Sequence, residues 1–209
     1  FMNMDNKRIK VDLHCHSYYS DGECSPAEIL AMALANGVEV LALTDHDTLA
    51  GSIILQNLAK DHPIRIIPGL ECSVSWQRME LHVVGLNVDP KHPDLLRYLQ
   101  AQEQKRFSRA LQISSALKGL GFTDNLQAVI EIAGHYGLSR THFAKYLVQK
   151  GVVSDMSAAF KIYLGSHAPA YVPSQWASLE ETIAVIQKSG GVAVLAHPTH
   201  YRLSTAQLK

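Results

Sequence analysis

Cysteine is scarce in this chain of 209 residues. There are three, an odd number without zinc-finger spacing, so neither a disulfide framework nor a cysteine-based metal module is expected. No apolar run approaches the ~18–20 residues of a membrane span, and no leader-like segment is read before the first strand. Excess charge of either sign is missing too: 19 Lys and Arg balance 19 Asp and Glu. A net charge of zero argues against coating long DNA by bulk electrostatics, yet leaves room for a small phosphorylated ligand held by local cations. Repeats and low-complexity segments are not evident. The expected setting is reducing and cytoplasmic, and oligomeric state leaves no readable trace. With 47% hydrophobic and 18% charged residues, the composition is that of an ordinary globular protein.

What the chain does have is histidine, eleven copies. To place them, the elements come first. Residues 8–14 read as a strand, and SPAEILAMALANG as a helix. Ser25 is its N-cap, Pro26 its first residue, Glu28 the partner in a capping box, and Gly37 the stop. VEVLALTDH is a second strand and TLAGSIILQNLAK a second helix; residues 64–71 and 80–88 are further strands. Such alternation predicts parallel βα units. From 93 to 165 the pattern turns helical, with breaks at Gly119, Gly121, Gly137 and Gly151. Then SLEETIAVIQKSGG, capped by Ser178 with Glu181 at N3, and the strand VAVLAHP restore the βα pattern. The expected organisation is an α/β fold with an N-terminal part over 7–92, a helical insertion over 93–165 and a C-terminal part over 166–209. Five strands are too few to close a barrel of about eight units.

In VDLHCHSYYSDGECSP, residues 11–26, His14 and His16 stand two apart on a strand and so share a face, with Cys15 opposite. Asp21 follows on the loop. The second strand runs into TDHDT with His46, the third ends at Glu71, the fourth carries His82 and the last ends at His197. Each unit thus delivers a metal-capable side chain, which an accidental scatter of polar residues does not explain. Imidazole and carboxylate together suit manganese, iron or zinc better than calcium or magnesium. So many ligands call for at least two ions, with Glu71 the natural bridge. Asp45 and Asp47 are expected to orient His46 or cap the next helix. Cys15 and Cys72 are expected to point away from the ions.

DLHCHSYYSDG, TDHDT, PGLE followed by LHVVG, and AHP together resemble the PHP (polymerase and histidinol phosphatase) phosphoesterase family. Within it, SRTHFAKYLV and YLGSHAPAYVP resemble the subgroup acting on nucleoside 3′,5′-bisphosphates and on the 5′ end of short RNA. The resemblance implies a distorted (β/α)7 barrel and two or three divalent ions, manganese foremost. It places His14, His16 and Glu71 on one ion, Glu71, His82 and His197 on a second, and Asp21 with His46 on a third. The family's late Asp-x-His motif does not occur before Lys209, which implies an unfinished barrel and a weak third site. The implied activity is removal of a 3′-phosphate from nucleoside bisphosphates or of 5′ nucleotides from short RNA. A histidinol-phosphate phosphatase and a non-catalytic metal-stabilised module are the competing readings.

Substrate contacts are expected from the insertion. Ser139 is the N-cap of a helix that Arg140 opens, and an anion is favoured there by free N–H groups and by the guanidinium. His142 and His167 are further candidates for substrate contact, each weighed against a cap or a solvated loop. Tyr171 and Trp176 are candidates for base stacking or for packing. His62, His92, His135 and His200 have no partner motif and are expected on the surface.

Overall fold

A computed structural model of the chain describes residues 8–77, 79–134, 137–201, 203–204 and 206–207. The expected surface residue His135 and the expected boundary at Lys7 lie outside these. Among the described residues no helix is long and apolar enough to cross a membrane.

The strands form two sheets. In the first, β1 (Val11–Cys15), β2 (Val40–Leu43) and β3 (Arg65–Ile66) pair in parallel in that order. In the second the order is β6 (Ala177–Ser178), β4 (Gly69–Trp76), β5 (Met79–Leu86), β7 (Val192–Leu195). The single strand expected over 64–71 is therefore divided. Pro68 has no N–H to give to a ladder, and the chain leaves the first sheet at Ile66 to enter the second at Gly69. The parallel arrangement also fails there: β4 and β5 form an antiparallel hairpin in register from Gly69 opposite Leu86 to Trp76 opposite Met79. Among the described residues seven strands replace the five expected, and no closed barrel is present.

The helices follow the expected punctuation. α1 (Pro26–Ala35) begins on the Ser25–Glu28 capping box and is followed by Gly37 at φ 68°. α2 (Ala50–Leu58) covers the first sheet, and their apolar faces meet around Leu30, Leu41, Leu43 and Leu55. α3 (Pro93–Gly119), α4 (Asn125–Ala133), α5 (Arg140–Gln149), α6 (Met156–Ala159) and a π-helical turn (Phe160–Leu164) fill the stretch read as helical. These bury a core of their own around Ile113, Leu117, Phe143, Leu147 and Leu164. α7 (Leu179–Lys188), capped by the Ser178 side chain at the Glu181 N–H, packs on the second sheet through Val185 and Ile186. α3 spans two cores: Leu95 and Tyr98 pack with the second sheet, Ala110, Ile113 and Leu117 with the helices. Tyr98 also shares a 2.9 Å hydrogen bond with Thr182 of α7.

Where the sheets meet, backbone bonds join them. The Glu71 N–H donates to the Asp45 carbonyl at 3.1 Å, and the Asp47 N–H donates to the Glu71 carbonyl at 2.9 Å. His46 and Glu71 thereby form an isolated parallel bridge. The candidate site lies on this seam.

Candidate metal centre

His14 near the end of β1 and His16 just beyond it point the same way, as the two-residue period requires. Their rings are 5.2 Å apart, and their Nε2 atoms stand 3.0 and 3.1 Å from Glu71 Oε2. Cys15 faces the other way: its Sγ reaches the Ala42 carbonyl at 3.5 Å, and burial pushes its thiol up to about 12. Cys72 is fully buried among the apolar residues beneath the second sheet. Both thiols are kept in the unreactive protonated form.

After His16 the chain turns tightly. A Cβ at Gly22 would lie 2.4 Å from the His16 carbonyl oxygen, so only glycine allows this approach. The turn returns Asp21, with Oδ1 3.9 Å from His16 Nδ1 and 3.8 Å from His46 Nε2. Thr141 at the start of α5 donates to the other oxygen of Asp21 at 3.2 Å. Asp45 holds the turn from beneath, accepting 2.7 Å bonds from the Ser17 N–H, the Ser17 hydroxyl and the Ser20 hydroxyl. Asp47, at φ 53°, accepts from the Ser73 N–H at 2.8 Å and pairs with Arg106. The flanking aspartates thus tie loops and sheets to the site; α2 has Leu49 at its N-cap and takes no side-chain cap from either.

Glu71 is the centre of the arrangement. Its carboxylate is 1% exposed, and its two oxygens divide the histidines. Oε2 faces His14, His16 and, at 3.5 Å, His46 Nδ1. Oε1 faces His82 Nδ1 at 3.3 Å and His197 Nε2 at 3.2 Å. His82 sits in the middle of β5 opposite Ser73 rather than at a strand end. His197 follows β7 and takes the uncommon φ of 31°.

Burial disfavours charge on Glu71, but hydrogen bonds from His16 and His82 and the charges of His46 and His82 outweigh it, leaving the carboxyl well below the usual range. For His82 the facing carboxylates of Glu71 and Glu80 overcome burial and raise it to about 9, whereas burial takes His46 down to about 4. His82 Nδ1 and His197 Nε2 are 3.3 Å apart, so one of the two must offer a lone pair. Among the described residues the buried Nδ1 atoms of His46 and His197 meet no hydrogen-bond partner. Three sets of donors, His14–His16–Glu71, His16–Asp21–His46 and His46–Glu71–His82, each lie within 4.8 Å. Imidazole nitrogens from five histidines converging on a buried carboxylate fit divalent cations of the borderline class.

The expected substrate residues are placed less uniformly. Arg140 reaches Glu80 at 3.4 Å and lies 5.9 Å from the Phe160 ring. His142 is buried and turned inward, its Nδ1 accepting from the Ser139 N–H at 3.1 Å as the third residue of a capping box. His167 is exposed at φ 71° and is not among the residues gathered around Glu71. Trp176 is buried, with the guanidinium carbons of Arg106 and Arg109 4.9 and 5.4 Å from its ring. Its indole is engaged in packing. A cleft of about 360 Å³ beside His46 is bordered by Tyr19, Leu99, Gln100 and Arg106.

His62 is exposed and His92 half-buried. His200, expected on the surface without a role, is exposed but stacks on His197 with ring centres 5.1 Å apart. The Tyr201 hydroxyl accepts from the His82 N–H at 2.9 Å. Glu80, Tyr201 and His200 are contributors that the sequence reading missed. HPTHY offers a local hint for two of them; Glu80 offers only its place two residues before His82.

The model of the PHP domain family matches residues 12–192. A 5′-3′ exoribonuclease of Haemophilus influenzae is 42% identical over 195 residues, covering 93% of this chain and 71% of that protein. A 3′,5′-nucleoside bisphosphate phosphatase of Chromobacterium violaceum is 40% identical over 192 residues, covering 91% and 67%. A crystal structure from Bifidobacterium adolescentis, of a candidate metal-dependent phosphoesterase, superimposes with a TM-score of 0.87 at 26% identity, covering 96% of this chain and 72% of the other. Carrying the family's match across most of its length, with its histidines and glutamate drawn into one cluster, the chain belongs to the PHP domain family.

Proposed function

We propose that the chain is a metal-dependent phosphoesterase that hydrolyses the 3′-phosphate of nucleoside 3′,5′-bisphosphates and removes 5′ nucleotides from short RNA. The observation that carries this reading is the division of histidines between the two oxygens of Glu71. His14, His16 and Oε2 would hold one ion; Oε1, His82 and His197 a second; Asp21 and His46 a third. Manganese suits these ligands, and iron and zinc also fit. Divalent ions held there would activate water at neutral pH and offset the charge that builds on a phosphoryl group.

The protein's own groups do the rest. The Asp45 bonds to Ser17 and Ser20 fix the turn that presents Asp21. Arg140 stands at the rim, 27% exposed in its side chain, where a second phosphate of the substrate can reach it. Thr141 ties the same helix to Asp21, so the cation at the rim and the ligand at the centre move together. His142 holds the helix start rather than the substrate. We assign 7–92 and 166–209 to the metal-holding part and 93–165 to the substrate-holding part; the separate core of the helices supports the division. The names borne by the two relatives support the substrate class.

Phosphate release from adenosine 3′,5′-bisphosphate with Mn²⁺, against an EDTA control and a His14→Ala variant, tests the reading. Release that depends on the ion and falls by at least about tenfold in the variant is expected. No release from the bisphosphate, from a short 5′-phosphorylated RNA or from histidinol phosphate would leave the non-catalytic reading standing. Release from histidinol phosphate alone would move the assignment to that substrate.

A further inference from the structure

Glu80 stands outside the cluster around Glu71 but touches it. Its Oε1 lies 3.9 Å from His82 Nε2 and 3.4 Å from Arg109 Nη1. Its Oε2 lies 3.2 Å from Arg109 Nη2 and 3.4 Å from Arg140 Nη2. The carboxylate is buried to about four-fifths, and with one negative charge it faces two guanidinium groups.

The two arginines differ in how they are held. Arg109 is fixed by a 3.1 Å bond from its Nε to the Val172 carbonyl and by the Trp176 ring below it. Arg140 is the more exposed of the two and is otherwise held only by the Phe160 ring among its described contacts. Glu80 is therefore the point at which Arg140 is anchored beside the metal centre. Two positive charges against one negative charge leave a positive balance at the rim, in the direction a phosphate needs.

The same carboxylate acts on His82. That ring lies between two acids, Glu71 on its Nδ1 side and Glu80 on its Nε2 side. At 3.9 Å Glu80 stands at ion-pair distance from Nε2, and a carboxylate on that side favours the proton on Nε2, which leaves the Nδ1 lone pair to a cation and biases the ring's tautomer and orientation.

We propose that Glu80 is a positioning residue with two tasks, holding His82 with Nδ1 free for a metal ion and holding Arg140 at the rim. This rests on the metal-centre reading above, not on the identity of the substrate. It adds a residue that the histidine pattern does not reveal.

The test uses metal alone, so it stays readable if no phosphoester proves to be a substrate. Zn²⁺ or Mn²⁺ is titrated calorimetrically into the unaltered chain and into Glu80→Ala and Glu80→Gln. The alanine variant is expected to bind about tenfold more weakly or worse. The glutamine variant, whose amide oxygen still accepts a hydrogen bond, is expected to lose at least about threefold while recovering part of the alanine defect. In the Zn²⁺-loaded chain, nitrogen NMR is expected to show His82 protonated at Nε2, with that signal shifted in both variants. If the alanine variant does not fold, the glutamine variant decides alone. Folded variants that bind the ion within about twofold of the unaltered chain, with the His82 signal unmoved, would overturn the proposal.

Discussion

At the level of single residues, the site depends on groups whose protonation is set by their surroundings. His142 is the clearest case outside the cluster. Burial, ahead of the opposing charge of Asp21, depresses it to about 4, so in the folded chain it stays neutral through the mildly acidic range. In the unfolded chain the ring takes a proton below about 6.5. The unfolded state then binds more protons, so this contribution is intact above pH 6.5 and is lost as pH falls toward 4. At pH 5 the expected loss is about 2 kcal/mol. His142→Gln keeps a side chain that can close the capping box but cannot titrate. Urea denaturation at pH 7 and pH 5 should show a smaller loss of stability for the variant; equal losses would remove His142 as the cause. Other residues differ in how readable they were. His14 and His16 could be paired because strand parity acts over two positions. Glu80 could not, because its partners Arg109 and Arg140 lie 29 and 60 positions away. His142 resembled a substrate group because histidine seldom fills the place of Glu or Gln at N3.

Among the elements, the hairpin of β4 and β5 shows why part of the fold escaped the sequence. Such short connections favour Gly or Asn in the left-handed region. Here Gln77 adopts φ 45°, and the segment WQRM gives no turn signal. The break at Pro68 was equally hidden, since an apolar run before and after it reads as one strand. By contrast, the starts of α1 and α7 were legible because capping is local: a serine and a glutamate three residues later are sufficient. α3 is joined to the hairpin by polar side chains. Gln102 donates to the Ser73 carbonyl at 2.7 Å and accepts from the Ala177 N–H at 3.0 Å, while Arg106 pairs with Asp47 and donates to Ser73 Oγ at 2.9 Å. Asp47→Ala would leave the buried Arg106 charge unmatched, at a cost of about 3–5 kcal/mol. Chemical denaturation measures this directly. A cost below about 1 kcal/mol would mean that Arg106 finds another acceptor or reaches water.

For the molecule as a whole, the switch from βα to helical pattern and back was legible, but the division of the described residues among three apolar cores was not, since it rests on contacts between distant segments. The candidate metal centre draws on both sheets, with His14, His16 and His46 belonging to or following strands of the first and Glu71, His82 and His197 belonging to or following strands of the second. An ion held at 100 times its dissociation constant adds about 2.7 kcal/mol to stability. Adding Mn²⁺ to metal-free chain should therefore raise the melting temperature, and EDTA should reverse the rise; a melting temperature indifferent to the ion would argue that the cluster does not hold it. The seam at Glu71 gives this linkage a particular form. The residue's backbone fastens one sheet to the other, while its side chain collects histidines from both. A cation held there would work as a rivet, and the parts it fastens could not drift apart without pulling its proposed ligands from one another. Wear at the joint and loss of chemistry would thus become one event: a chain that had begun to come open would already have ceased to be armed.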